Sequence, residues 1–173
     1  MAEPPRFDPH PPELSRPVAV ERVGPAGLDV EIRADAAECH ALAARMAIPA
    51  VEDFVCRFRL AAAPGRVVLA EGHLQARVVR VCVLTLDPFE TVTEERFRLR
   101  FVPSCREPDD DDPDSDDEIA YQGGTIELGE AAAEQLALAL DPYPRKPGAV
   151  LPDTGDAAAG HPFAALARLP RPR

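Results

Sequence analysis

Five arginines stand at every second position in two short stretches. Arg57 and Arg59 alternate with Cys56, Phe58 and Leu60; Arg96, Arg98 and Arg100 alternate with Phe97, Leu99 and Phe101. Guanidinium groups two residues apart lie on one face of a β-strand and are the donors that grip phosphate oxygens. If the two strands share a sheet, the arginines form a stripe able to track a nucleic-acid backbone. The plainer reading is a solvated face balanced by Glu94 and by acids on neighbouring strands, and the residues alone favour it. Base stacking has little support among these positions, and neither an RNP-type sequence nor a helix-turn-helix is evident.

The other groups with chemical potential read more simply. Asp109, Asp110, Asp111, Asp112, Asp114, Asp116 and Asp117, with Glu107 and Glu118, put nine acids in one segment. Without them the formal net charge of −11 falls to −2, so the rest of the chain is close to neutral. Asp112, Asp114 and Asp116 follow a D-x-D-x-D pattern, but Asp117 and Gly123 stand where a calcium loop needs Gly and a bidentate Glu. The four cysteines, Cys39, Cys56, Cys82 and Cys105, are not spaced as metal ligands, and the four histidines are scattered. Cys82, between Val81 and Val83, reads as an inert apolar strand residue, and neither it nor Ser104 has a nucleophile motif around it. Neither a phosphate-binding loop nor a paired-carboxylate site is present. No enzyme activity, metal or cofactor is therefore expected.

The elements that must position the arginines follow from hydrophobic period. Arg16–Val23 and Leu28–Arg33 read as strands around a turn at Gly24–Gly27. Asp35 reads as a helix N-cap with Glu38 three residues on, followed by Ala36, Cys39, Leu42, Ala43 and Met46 on one face. That helix must stop before Ile48-Pro49. Val51–Leu60 alternates, Ala63–Gly65 is a turn, and Arg66–Leu84 is a long apolar-rich strand with Gly72 as a bulge or bend. Its antiparallel partner, Glu90–Phe101, returns across Asp87-Pro88, where Pro88 belongs at the turn. Thr125–Leu128 is a short strand and Glu130–Leu140 a helix. The expected fold is α+β: a single domain with a mostly antiparallel β-sheet and about two helices. Residues 14–148 form it, with an acidic disordered loop at 105–119. Pro-rich disordered tails are expected at 1–13 and 149–173. No signal peptide and no apolar run of about 18 residues is visible, so a reduced cytoplasmic setting with no membrane contact is expected.

Four pieces of the chain resemble the YceD family of large ribosomal RNA subunit accumulation proteins, closest to its alphaproteobacterial branch. They are Leu14-Ser15-Arg16-Pro17-Val18; the helix ADAAECHALAARMAI over Ala34–Ile48; Gly72–Ala76 leading into Val81–Glu90; and Thr125–Glu130 followed by Glu134–Gly148. The likeness covers roughly Leu14 to Gly148. Its central motif holds Cys82, Leu86, Pro88 and Phe89. Many members carry a second cysteine where this chain has Thr85, a poor zinc ligand, so no zinc site is expected here. The resemblance implies a non-enzymatic bacterial factor for 23S ribosomal RNA accumulation and large-subunit assembly. Ribosomal RNA or its precursor is then the expected partner of the arginine face. The alternative is a chaperone-like module whose acidic segment captures a basic large-subunit ribosomal protein, or for which that segment is a solubilising spacer.

Overall fold

The computed structural model describes residues 12–104 and 117–150. Seven strands and two α-helices follow in chain order. They are β1 (Pro17–Ala19), β2 (Leu28–Arg33), α1 (Ala36–Arg45), β3 (Ala50–Ala63), β4 (Val67–Val81), β5 (Pro88–Pro103), β6 (Asp117–Tyr121), β7 (Thr125–Glu127) and α2 (Leu128–Ala139). A five-stranded sheet has the order β2-β3-β4-β5-β6, antiparallel except for the parallel β5–β6 pair, and β1 pairs with β7 in a separate antiparallel ribbon. This is the α+β class expected, with the sheet mixed at one edge.

Period 2 decides which side of the large sheet is dry. Phe54, Cys56, Phe58 and Leu60 of β3 are buried, as are Ala70, Leu74 and Ala76 of β4 and Leu99 and Phe101 of β5. Both helices pack into the same cluster, through Cys39, Leu42 and Ala43 of α1 and Ala131, Ala132, Ala133 and Leu136 of α2. Burial pushes the Cys56 thiol up to about 12. The start of α1 is the predicted capping box. The Asp35 carboxylate accepts from the Ala37 and Glu38 amides at 2.9 Å, and Glu38 accepts from the Asp35 amide at 2.9 Å. Arg16 then grips Glu38 with two nitrogens at 2.7 and 2.9 Å and ties the N-terminal segment to the helix. That contact holds the Glu38 carboxyl below its usual range.

Several expectations are corrected. Gly72 is neither a bulge nor a bend: it lies in regular register between Phe58 and Phe97. A Cβ there would come within 2.1 Å of the Phe97 ring, which sits over the glycine and meets Phe58 edge-on with centroids 5.7 Å apart. Gly72 is thus small because an aromatic ring occupies its side-chain space. The irregularity lies instead between Val51 and Asp53. The first strand is only Pro17–Ala19, because the chain turns into a 3-10 turn at Val20–Arg22 once its partner β7 is exhausted. Pro88 opens β5, a position that needs no ladder donor.

Strand β6 was hidden in the acidic run. Asp117 and Glu118 are charged, but Ile119 lies opposite Phe101, and Tyr121 is buried with its hydroxyl donating to the Arg66 carbonyl at 2.6 Å. Glu118, opposite Arg100, takes the wet side and Asp117 opens the strand, so the expected loop at 105–119 ends before Asp117. The remaining part of that loop, Asp109, Asp110, Asp111, Asp112, Asp114 and Asp116 included, lies outside the described residues. So do residues 1–11 and 151–173, and with them most of the two expected tails.

Candidate nucleic-acid interface

Residues directly opposite in a ladder share a face. The register sets Arg57 opposite His73, and His73 opposite Arg96; one row on, Arg59 faces Glu71, and Glu71 faces Arg98. Arg57, Arg59, Arg96, Arg98 and Arg100 therefore all lie on the wet face of one sheet, with β4 between the two groups. On β2, Glu31 lies opposite Arg57 and Asp29 opposite Arg59. The sequence reading left open whether β3 and β5 share a sheet; they do.

This face is an open trough of about 1050 Å³. Four of the arginines line it, Arg57, Arg59, Arg96 and Arg98, and so do four acids, Asp29, Glu31, Glu71 and Asp117. The balance is not evenly distributed. Toward β2 the pairs are tight: Arg57 Nε to Glu31 at 2.7 Å and Arg59 Nη1 to Asp29 at 2.6 Å. Glu31 also receives Arg33 at 2.9 Å, and the two guanidinium groups hold its carboxyl below the usual range. Toward β5 the pairing loosens. Arg98 stands 3.7 Å from Glu71 with its side chain 70% exposed, and Arg96 has no carboxylate at ion-pair distance among the described residues. The adjacent Glu94 is engaged by His73 Nε2 at 2.7 Å, which is the main reason its carboxyl sits low, with the Arg96 charge adding to the effect. Arg100 lies beyond the trough, paired to Glu118 of β6 at 3.1 Å.

The acids on β2 and the histidine on β4 were not singled out from sequence, although Leu28–Arg33 alternates and puts Asp29, Glu31 and Arg33 at like positions. What could not be read locally is that these acids face Arg57 and Arg59 rather than Arg96 and Arg98.

The family-motif residues lie away from the trough, at the tip of the β4–β5 hairpin. Cys82 is not in a strand. It starts the turn after β4, where its amide donates to the Asp87 carbonyl and its carbonyl accepts from Leu86, both at 2.9 Å. Its side chain is buried, as the apolar reading expects. The Thr85 hydroxyl, and next the Lys146 amide, donate to the sulfur and draw the thiol down to about 7. Thr85 thus serves the sulfur as a donor. Leu86 takes a left-handed backbone with φ of 60° and is 75% exposed. Pro88 is exposed, and Phe89 is half-buried opposite Arg80. Arg80 is itself buried and donates to the Asp141 carbonyl at 2.6 Å, just past the end of α2. A cation at a helix C-terminus is favourably placed.

Among the described residues no three His, Cys, Asp or Glu side chains cluster as a metal site would need, and no helix is long and apolar enough to cross a membrane. One family model, described as "Large ribosomal RNA subunit accumulation protein YceD", matches residues 70–169. No curated protein and no solved structure matches the chain.

Proposed function

The chain belongs to the YceD family, and from that premise we propose that it is a non-enzymatic cytoplasmic factor supporting 23S ribosomal RNA accumulation and large-subunit assembly. It contacts ribosomal RNA or a precursor directly, through the β5 side of the trough. The observation that carries this reading is the uneven pairing of the arginines. Arg57 and Arg59 already hold carboxylates, whereas Arg96 has none at ion-pair distance among the described residues and Arg98 holds one loosely. A phosphate oxygen reaching Arg96 or Arg98 displaces little, while one reaching Arg57 must break a short ion pair. The reading therefore assigns first contact to Arg96 and Arg98, with Arg57, Arg59 and Arg100 as supports. Reading is by backbone charge, and sequence discrimination is left to RNA shape.

The test is the salt dependence of binding to a large-subunit rRNA fragment. Each phosphate contact contributes roughly 0.7 to 0.9 to the slope of log K against log salt. Changing Arg96 and Arg98 together to Ala should lower the slope by about 1.5, and changing Arg57 and Arg59 should lower it by less than about half of that. An unchanged slope in the first variant would remove these residues from the account.

A second reading rests on the same trough. Its four arginines are matched by four acids, a mixed surface that also suits a protein partner. In that reading the acidic segment captures a basic large-subunit ribosomal protein. Removing residues 109–116, while sparing Asp117 because it pairs with Leu99, should then abolish capture and leave the fold intact. Unimpaired capture would reduce the segment to a spacer.

A further inference from the structure

The hairpin tip carries an apolar patch. Val83 is 43% exposed, Leu86 75% and Tyr143 70%. The segment after α2, which carries Tyr143, is strapped across the turn that carries Val83 and Leu86. The Val83 amide donates to the Pro144 carbonyl at 2.9 Å, and the Lys146 ammonium lies 3.5 Å from Asp87. A left-handed backbone is disfavoured at a leucine, and asparagine or glycine would relieve it. A large apolar side chain held there in water, with an exposed valine in the same turn and an exposed tyrosine on the strap, is the kind of exposure that marks a contact surface.

The described chain ends at Val150, four residues beyond the Lys146 that pins it to this turn. The family match continues to residue 169, well past residue 148, where the sequence reading sets the end of the domain. Inside that extension residues 161–169 read HPFAALARL, with Phe163, Leu166 and Leu169 recurring every third position and Arg168 as the one Lys, Arg, Asp or Glu. Twelve residues separate Phe163 from Val150, a reach of roughly 40 Å when extended. The patch lies beside the strap itself, so reach is ample.

We propose that residues 161–169 pack in cis against Val83, Leu86 and Tyr143, capping the β4–β5 turn with the apolar side of the C-terminal segment. Chain connectivity gives the segment a high effective concentration at this turn. The inference does not depend on the trough or on RNA.

Amide hydrogen exchange of the turn residues 83–87 and of the strap around Tyr143 tests it. The full chain is compared with a chain ending at Gly160, with Phe163→Asp and with Leu86→Asn. Asn is chosen because it tolerates the left-handed backbone. The full chain should exchange about tenfold more slowly at these amides than each of the other three. A peptide of residues 160–173 added to the truncated chain should restore the protection. Exchange in the β3 amides, unchanged throughout, would show that every variant is folded. Equal exchange in the full and truncated chains would overturn the proposal. Protection that rises with protein concentration together with a dimer in light scattering would also overturn it, assigning the patch to the segment of a second copy.

Discussion

Replacing Gly72 with Ala tests why the sheet holds its register. The added Cβ would meet the Phe97 ring at 2.1, 2.3 and 2.7 Å from three of its atoms. Contacts that short cannot be absorbed, so the ring must swing away from Phe58, now 5.7 Å off centroid to centroid. Phe97 is half-buried. Displacing it forfeits part of the roughly 3–5 kcal/mol that a fully buried phenylalanine is worth, about 2–3 kcal/mol here. Against this, alanine in a strand is more favourable than glycine by about 0.5–1 kcal/mol. The net cost is about 1–2 kcal/mol, a fall in melting temperature of roughly 3–10 °C for a domain of this size. The decisive assay is a double-mutant cycle by urea denaturation. In a Phe97→Ala background the ring is gone, and Gly72→Ala should become neutral or stabilising by about 0.5 kcal/mol. The coupling energy should therefore be about 2 kcal/mol. If Gly72→Ala costs as much without the ring as with it, the glycine is required for backbone reasons and the argument fails.

Gly129→Ala should be more damaging, by about 3 kcal/mol, because its Cβ would lie 2.1 Å from the Leu14 carbonyl oxygen and 2.9 Å from the Arg16 amide, backbone atoms that cannot step aside; thermal unfolding measures it. Asp35→Ala removes the α1 cap and should cost roughly 1–2 kcal/mol in the same assay. The Glu38 carboxyl is held below its usual value of 4.5 by Arg16, so its contribution is complete above that pH and is lost as pH falls through the lowered native value. Glu38→Gln should flatten the acid limb of the stability profile, and an acid limb as steep as that of the native protein would contradict the pairing. Cys82 is drawn down from 9.0 to about 7, so its stabilising ionisation is fully present above the unfolded value and fades as pH falls through about 7. A thiolate absorbance that disappears with Cys82→Ala should titrate there. Thr85→Val, lacking the hydroxyl donor, should move it upward.

Local chemistry was legible in the chain. A capping box spans three residues, and strand faces repeat every second residue, so Asp35 with Glu38 and the facing of Arg57, Arg59, Arg96, Arg98 and Arg100 follow from short windows. The long β4–β5 hairpin follows likewise from its alternation and from Asp87-Pro88. The order of strands in the sheet does not, because it depends on contacts between segments far apart in the chain. Only the folded sheet put Asp29 and Glu31 against Arg59 and Arg57, left Arg96 and Arg98 comparatively free, and laid the Phe97 ring over Gly72. The same holds for β6, whose acids looked like loop until Ile119 and Tyr121 were seen to pack inward, and for Cys82, whose thiol is tuned in part by an amide 64 residues away at Lys146. Side-chain type and period are properties of neighbours along the chain. Which charge meets which, and how acidic a thiol becomes, are properties of neighbours in space.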